Sequence, residues 1–205
     1  MKNKRIHALT IDAMLIAIIA IMTFIPQFGF IMINAGLSLT LIPLPVLIGA
    51  YLGGIKRGGI YGFTFGVMSF LKALTAPGND ALFFSNPLVA IVPRVLFGLL
   101  AGLFFHLLLK RSRPKKTSIT LVAVISLTTT LLHGVMTLSF AGIFFPQVWP
   151  MLLMILLTNT LIEATVMALL VPIIISSLQV IFLKENLYHV FHKKPQTSNE
   201  MSNEK

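Results

Sequence analysis

The chain has 205 residues, of which 56% are hydrophobic and 11% charged, and its net charge is +10. So apolar a composition excludes an ordinary soluble domain and points to one multi-span membrane domain, in which basic loops that fix topology account for the positive charge without nucleic acid. With no cysteine, disulfides, thiolate metal sites and cysteine nucleophiles are excluded.

Six apolar segments, at about 8–25, 36–53, 58–75, 87–109, 117–140 and 148–183, are each near or above the ~17 residues a spanning helix needs. Lysine and arginine fall strictly on alternate connections. Lys2, Lys4 and Arg5 precede the first span and Lys56 and Arg57 join the second to the third. Lys110, Arg111, Arg113, Lys115 and Lys116 join the fourth to the fifth, and Lys184, Lys193 and Lys194 follow the sixth, while the other loops carry neither residue. The positive-inside rule therefore predicts an all-α membrane protein of six transmembrane helices with N and C termini cytoplasmic. Residues 1–194 are expected to form one domain, and 195–205, PQTSNEMSNEK, a polar disordered tail.

The opening MKNKRIH imitates a signal peptide, but no small-x-small cleavage site follows and Asp12 interrupts the apolar run, so it reads as the start of span one. The next loop, PQFGFIMINAG, is uncharged yet carries Gln27 and Asn34, and is expected either to lie over a site as a lid or to serve as an interfacial connector. Pro43 and Pro45 each remove a backbone donor, so span two is expected to be short, bent or begun late. Gly58, Gly62 and Gly66 in span three, with Gly98 and Gly102 in span four, predict close helix packing.

The loop around 76–86 holds Asn79, Asp80, Ser85 and Asn86, with Lys72 a turn inside it; solvated loop residues and a snorkelling lysine would explain these equally well. Asn86 followed by Pro87 predicts a helix N-cap, which puts Arg94 roughly 10 Å down span four. A guanidinium among lipid tails costs at least ~2.5 to 3.5 kcal/mol, so Arg94 is expected to face a bundle interior or a wet cavity. Its own face, Ala90, Gly98 and Ala101, is small enough for other helices to approach.

Span five repeats Ser126, Thr129, Thr130, His133 and Thr137 at helical spacing. Hydroxyls can bond their own backbone, so His133 is the stronger signal. Span six, entered through Trp149 and Pro150, places Asn159 and Glu163 one turn apart, and Pro172 is expected to bend it lower down. Arg94, His133 and Asn159 thus converge at one depth with Glu163 a turn below, which describes a pocket for a polar metabolite. The competing reading is an Arg94 to Glu163 ion pair that only neutralises two buried charges.

Enzyme readings find little support, since there is no HExxH, no second histidine near His133 and no nucleophile elbow, and His106 belongs to the other side. The stretch GAYLGGIK from Gly49 to Lys56 lacks the lysine immediately after the last glycine of a phosphate loop and the Ser or Thr that follows it, so uphill transport driven by ATP requires another chain.

The stretches LTLIPLPVLIGAYLGGIKRGGIYGFTFGVMSFLKA, SNPLVAIVPRVLFGLLAG and the AMLIA of span one resemble the substrate-binding S component of energy-coupling factor (ECF) vitamin transporters, over about residues 8–183. The resemblance implies a non-catalytic six-helix subunit of the bacterial cell membrane that binds a water-soluble vitamin near the outer face. It also implies docking onto a shared transmembrane energy-coupling subunit and two ATPase subunits, with no cofactor of its own and ATP used by those partners. Ala13 and Ala17, with Ala20 adjacent, would form the docking surface.

The pattern IPLPVLIG, GVMSF and NPL…PR is most similar to the pantothenate branch, which would give Arg94 or Lys72 a carboxylate to meet. Candidate substrate-binding residues are Arg94, His133, Asn159, Glu163, Asn86, Asn34, Lys72, Asn79 and Thr130. Alternatives are an S component for folate, riboflavin or pyridoxine, an ion-coupled carrier acting alone, and an intramembrane enzyme.

Overall fold

The computed structural model describes residues 2–34, 37–75, 81–110 and 119–185. Asn79, Asp80, most of the basic loop after span four and the 195–205 tail lie outside the described residues. Helix α1 (Lys2–Phe24) is followed by a single turn, α2 (Pro26–Gly29), and then by two short strands, β1 (Phe30–Asn34) and β2 (Leu37–Thr40). The strands pair antiparallel, Phe30 opposite Thr40 and Met32 opposite Ser38, with an irregularity before Asn34 meets Leu37. This hairpin departs from the all-helical expectation. It also corrects the onset of span two: 37–40 is strand, and helix begins at Pro43, where a missing N–H costs nothing because the first turn has no acceptor for it.

Helix α3 (Pro43–Thr75) carries spans two and three in one continuous element broken only at Gly54, whose φ of 68° and ψ of −159° suit glycine and few other residues. The two halves fold back on each other. A Cβ on Gly49 would stand 2.2 Å from the ring of Tyr61, and one on Gly58 would stand 3.2 Å from the Ala50 Cβ. Residues twelve and eight apart on a straight helix would be roughly 18 and 12 Å apart along the axis, so 43–53 and 55–75 are an antiparallel pair.

Next come α4 (Ala81–Phe84), α5 (Pro87–Lys110), α6 (Ile119–Phe144), a 3₁₀ turn at Pro146–Val148, α7 (Trp149–Ile155), a π-helical turn at Leu156–Thr160 and α8 (Leu161–Glu185). Among the described residues, three helical stretches, Pro87–Leu109, Ile119–Phe144 and Leu153–Leu178, are long and apolar enough to cross a membrane, and Ala8–Phe24 is a shorter apolar helix. With the two halves of α3, six helical rods result. Pro172 lies within α8, which continues past it to Glu185.

The expected glycine packing joins α3 to α5, which are each other's most extensive partners. A Cβ on Gly62 would come within 2.2 Å of the Arg94 carbonyl oxygen, and one on Gly98 within 2.0 Å of that of Gly58, so the two backbones touch directly. Around this seam sit Leu15 and Ile19 from α1, Val46, Leu47 and Phe65 from α3, Phe97 and Phe105 from α5, Ile125 from α6 and Met167, Val171 and Ile175 from α8. Large apolar side chains also cover the outside, among them Leu9, Ile143, Met154, Leu169 and Ile173. A water-facing surface does not carry such a coat, but one bathed in lipid tails does.

One end of the bundle gathers the β hairpin, α2, α4 and the 3₁₀ turn. There Leu41 N–H donates to the Gly29 carbonyl at 2.9 Å, Phe83 meets Phe145 edge to face, and Lys72 Nζ stands 3.8 Å from the centre of the Phe30 ring. The other end is the corner at Gly54.

Candidate functional site

The start of α5 follows the expected chemistry: the Asn86 side-chain oxygen accepts the N–H of Leu88 at 3.0 Å, and helix begins at Pro87. Two turns on, Pro93 removes the helical donor that the Val89 carbonyl would otherwise receive. Arg94 restores it. Its guanidinium folds back toward the hairpin end and Nη1 donates to the carbonyls of Ala90 at 2.7 Å and Val89 at 3.4 Å. The charge lies against two rings, Phe65 of α3 with its centre 4.7 Å away and Phe84 of α4 at 4.3 Å. Arg94 is only 4% exposed, and its small neighbours Ala90, Gly98 and Ala101 are buried with it, so it faces the bundle interior.

Across from it, the polar stripe of α6 is buried over its whole length, from Ser126 to Thr137. Thr129 spends its hydroxyl on the carbonyls of Ile125 and Ser126. Ser126 Oγ, Thr130 Oγ1, Thr137 Oγ1 and His133 Nε2 have no hydrogen-bond partner among the described residues. The His133 ring lies 4.7 Å from that of Phe97 and 5.9 Å from that of Phe65, which places it on the aromatic floor that carries Arg94.

In the last span, the π-helical turn inserts its extra residue beside Asn159, a distortion that re-aims side chains and recurs at functional sites. Asn159 is half-buried, its amide oxygen accepting from Thr158 Oγ1 at 3.3 Å. A Cβ on Gly134 would stand 2.2 Å from Thr160 Cγ2, so this turn is pressed onto α6 one residue beyond His133. Glu163, at the start of α8, turns Oε1 into the interior, where it finds no hydrogen-bond partner among the described residues. The Arg94 charge acts on both His133 and Glu163. Arg94, Thr130, His133 and Glu163 therefore form one interior cluster drawn from three spans.

The other sequence candidates lie around it. Lys72 is half-buried at the end of α3 and holds the hairpin through Phe30, while Asn86 is committed to its cap by one oxygen. Asn34 closes β1, and Asn79 is outside the described residues. On α1, Ala13 and Ala17 are exposed and Ala20 is half-buried. The sequence reading missed Pro93, Phe65, Phe84 and Phe97; the proline, four residues after Val89, was a local signal, whereas the rings needed the fold.

Two shallow apolar grooves mark the outer surface, one lined by Ile18, Ile21, Met22 and Phe28 and one by Leu161, Ile162, Thr165 and Val166. Neither is lined by the cluster, which is covered by α4, through Phe84, and approached by the hairpin, whose β2 strand contacts the π-helical turn. Polar atoms buried in this way cost about 1–3 kcal/mol each when left without partners, a penalty that a polar guest would remove.

The family model for the substrate-specific component of ECF transporters matches residues 7–175. The chain belongs to this family. It is thus a transporter subunit, and the apolar coat and spanning helices are those of a multi-pass membrane component. The ECF component is also similar to a pantothenate transporter, PanT, of Leuconostoc mesenteroides subsp. mesenteroides, with 36% identity over 110 residues. That match covers 52% of this chain and spans about half the length, 54%, of the curated relative.

Proposed function

We propose that this chain is the membrane-embedded, high-affinity binding subunit of an ATP-driven importer for pantothenate. The observation that carries the reading is the set of buried polar atoms on Ser126, Thr130, His133, Thr137 and Glu163, without hydrogen-bond partners among the described residues and gathered around a buried arginine. Pantothenate joins a carboxylate at one end to an amide and two hydroxyls, and the cluster offers a cation beside a row of hydroxyl and imidazole groups. In this reading Arg94 meets the carboxylate, the α6 stripe and Glu163 bond the amide and hydroxyls, and Lys72, Asn86 and Asn159 line the approach. Phe84 and the hairpin part to admit the vitamin and close over it.

Both termini are cytoplasmic in this account, since the basic residues of 56–57 sit at the corner end and the connections assigned to the opposite side carry neither lysine nor arginine. The exposed Ala13 and Ala17, with Ala20, dock onto a shared transmembrane subunit energised by two ATPases. No step of the cycle is catalysed by this chain. Titration of the purified protein with pantothenate tests the assignment, with saturable submicromolar binding expected and no binding contradicting it. Uptake by the chain alone in ATP-free vesicles under a proton or sodium gradient would instead favour the ion-coupled carrier.

A further inference from the structure

The Gly54 corner holds a second polar group inside the apolar bundle. Asp12, midway along α1, presents both carboxylate oxygens to the 55–75 half of α3: Oδ2 lies 3.2 Å from Arg57 Nη2, and Oδ1 accepts a hydrogen bond from the Tyr61 hydroxyl. The sequence is shaped around this grip. The bend at Gly54 brings Arg57 back over Gly53, where a Cβ would stand 2.1 Å from the Arg57 Cδ, and Gly49 leaves room for the Tyr61 ring, itself 1% exposed. Asp12 and Arg57 side chains are 20% and 25% exposed, so the pair is largely shielded.

Among the described side chains of α1, those buried in the bundle are Ala8, Leu15, Ile19 and Thr23, and its main partner is α3. Apolar contacts alone do not fix the rotation of such a helix, because lipid tails are as good a neighbour as another aliphatic side chain. A carboxylate gripped at two points does fix it. Ala13 adjoins Asp12 in sequence, and Ala13 and Ala17 are exposed.

We propose that Asp12 is a positioning residue: held by Arg57 and Tyr61, it sets the rotation of α1 so that the Ala13 and Ala17 face meets the energising partner. The proposal rests on the docking reading above and concerns coupling, not capture of the vitamin. The chain contains no cysteine, so spin labels attach only at cysteines introduced at the exposed Met14 and Ile60. Pulsed dipolar measurements on the full chain then report how α1 sits against α3.

In Asp12→Asn and Arg57→Gln the distance distribution broadens, and pantothenate uptake with the energising subunits falls severalfold while pantothenate affinity is unchanged. Arg57→Lys recovers part of both effects. Should Asp12→Asn fail to fold, as judged by lost pantothenate binding, Tyr61→Phe removes one of the two grips and is measured in its place. A distribution as narrow as wild type, or a broadened one with full uptake, overturns the proposal when Ala13→Leu/Ala17→Leu abolishes uptake. If that control also keeps full uptake, the docking reading itself has failed and the latch falls with it.

Discussion

Arg94 and His133 share one neighbour, the ring of Phe65, whose centre is 4.7 Å from the guanidinium carbon and 5.9 Å from the centre of the imidazole ring. The three residues come from α5, α6 and α3, so this contact records three helices meeting at one depth. Arg94 bonds its own backbone, and the proposed function gives it a second job, toward a guest.

The backbone job is measurable alone. Removing the guanidinium strips the Val89 carbonyl of its donor, so Arg94→Ala should lower folding stability by about 1–3 kcal/mol. Pro93→Ala returns an N–H at the right place, and the double variant should regain most of that loss in thermal unfolding. A double variant no more stable than Arg94→Ala would remove the carbonyl-capping role.

Thr130→Val exchanges an unsatisfied buried hydroxyl for a methyl of the same shape. The unliganded fold should be as stable as wild type or more so, while pantothenate binding weakens by roughly tenfold, the worth of one good hydrogen bond. Calorimetric titration beside an unfolding curve checks both signs, and unchanged affinity would move the hydroxyl out of the site.

Gly98→Leu tests the seam. Its side chain meets the Gly58 carbonyl 2.0 Å from where a Cβ would stand, with backbone rather than a flexible side chain in the way. Overpacking of this kind costs about 1–3 kcal/mol or more, so the melting temperature should fall, where a wild-type value would mean α3 and α5 are not so closely joined.

Lys72→Gln loosens the hairpin by removing its charge from Phe30, a contact worth about 0.5–2 kcal/mol. Stopped-flow measurement should show pantothenate leaving several times faster. Equal off-rates in the two proteins would show that the hairpin does not gate release.

Much of this was legible in the chain. Asn86 and Pro87 marked a helix start because capping is local chemistry, the small residues around Arg94 marked a buried face, and the period of the α6 stripe put its hydroxyls on one side. Pro43 and Pro45 made a late start one of three expectations for span two, though the segment itself was begun too early, at 36. The strands were missed because FIMIN is apolar up to Asn34 and the alternation of LSLT lasts only four residues, and runs so short do not reveal their period. The π-helical turn beside Asn159 is a change of hydrogen-bond register that composition does not carry. Asp12 registered as an interruption of span one and Arg57 as a topology signal; their pairing needed the Gly54 corner, a long-range consequence of one residue with positive φ.

The central claim is that a buried cation is kept in this bundle to receive a carboxylate. Its most direct test is pantothenate titration of Pro93→Ala/Arg94→Ala, matched to wild type for folding, against wild type itself. The account predicts an affinity loss of at least about a hundredfold, close to 2.8 kcal/mol, and wild-type affinity in the folded double variant would contradict it.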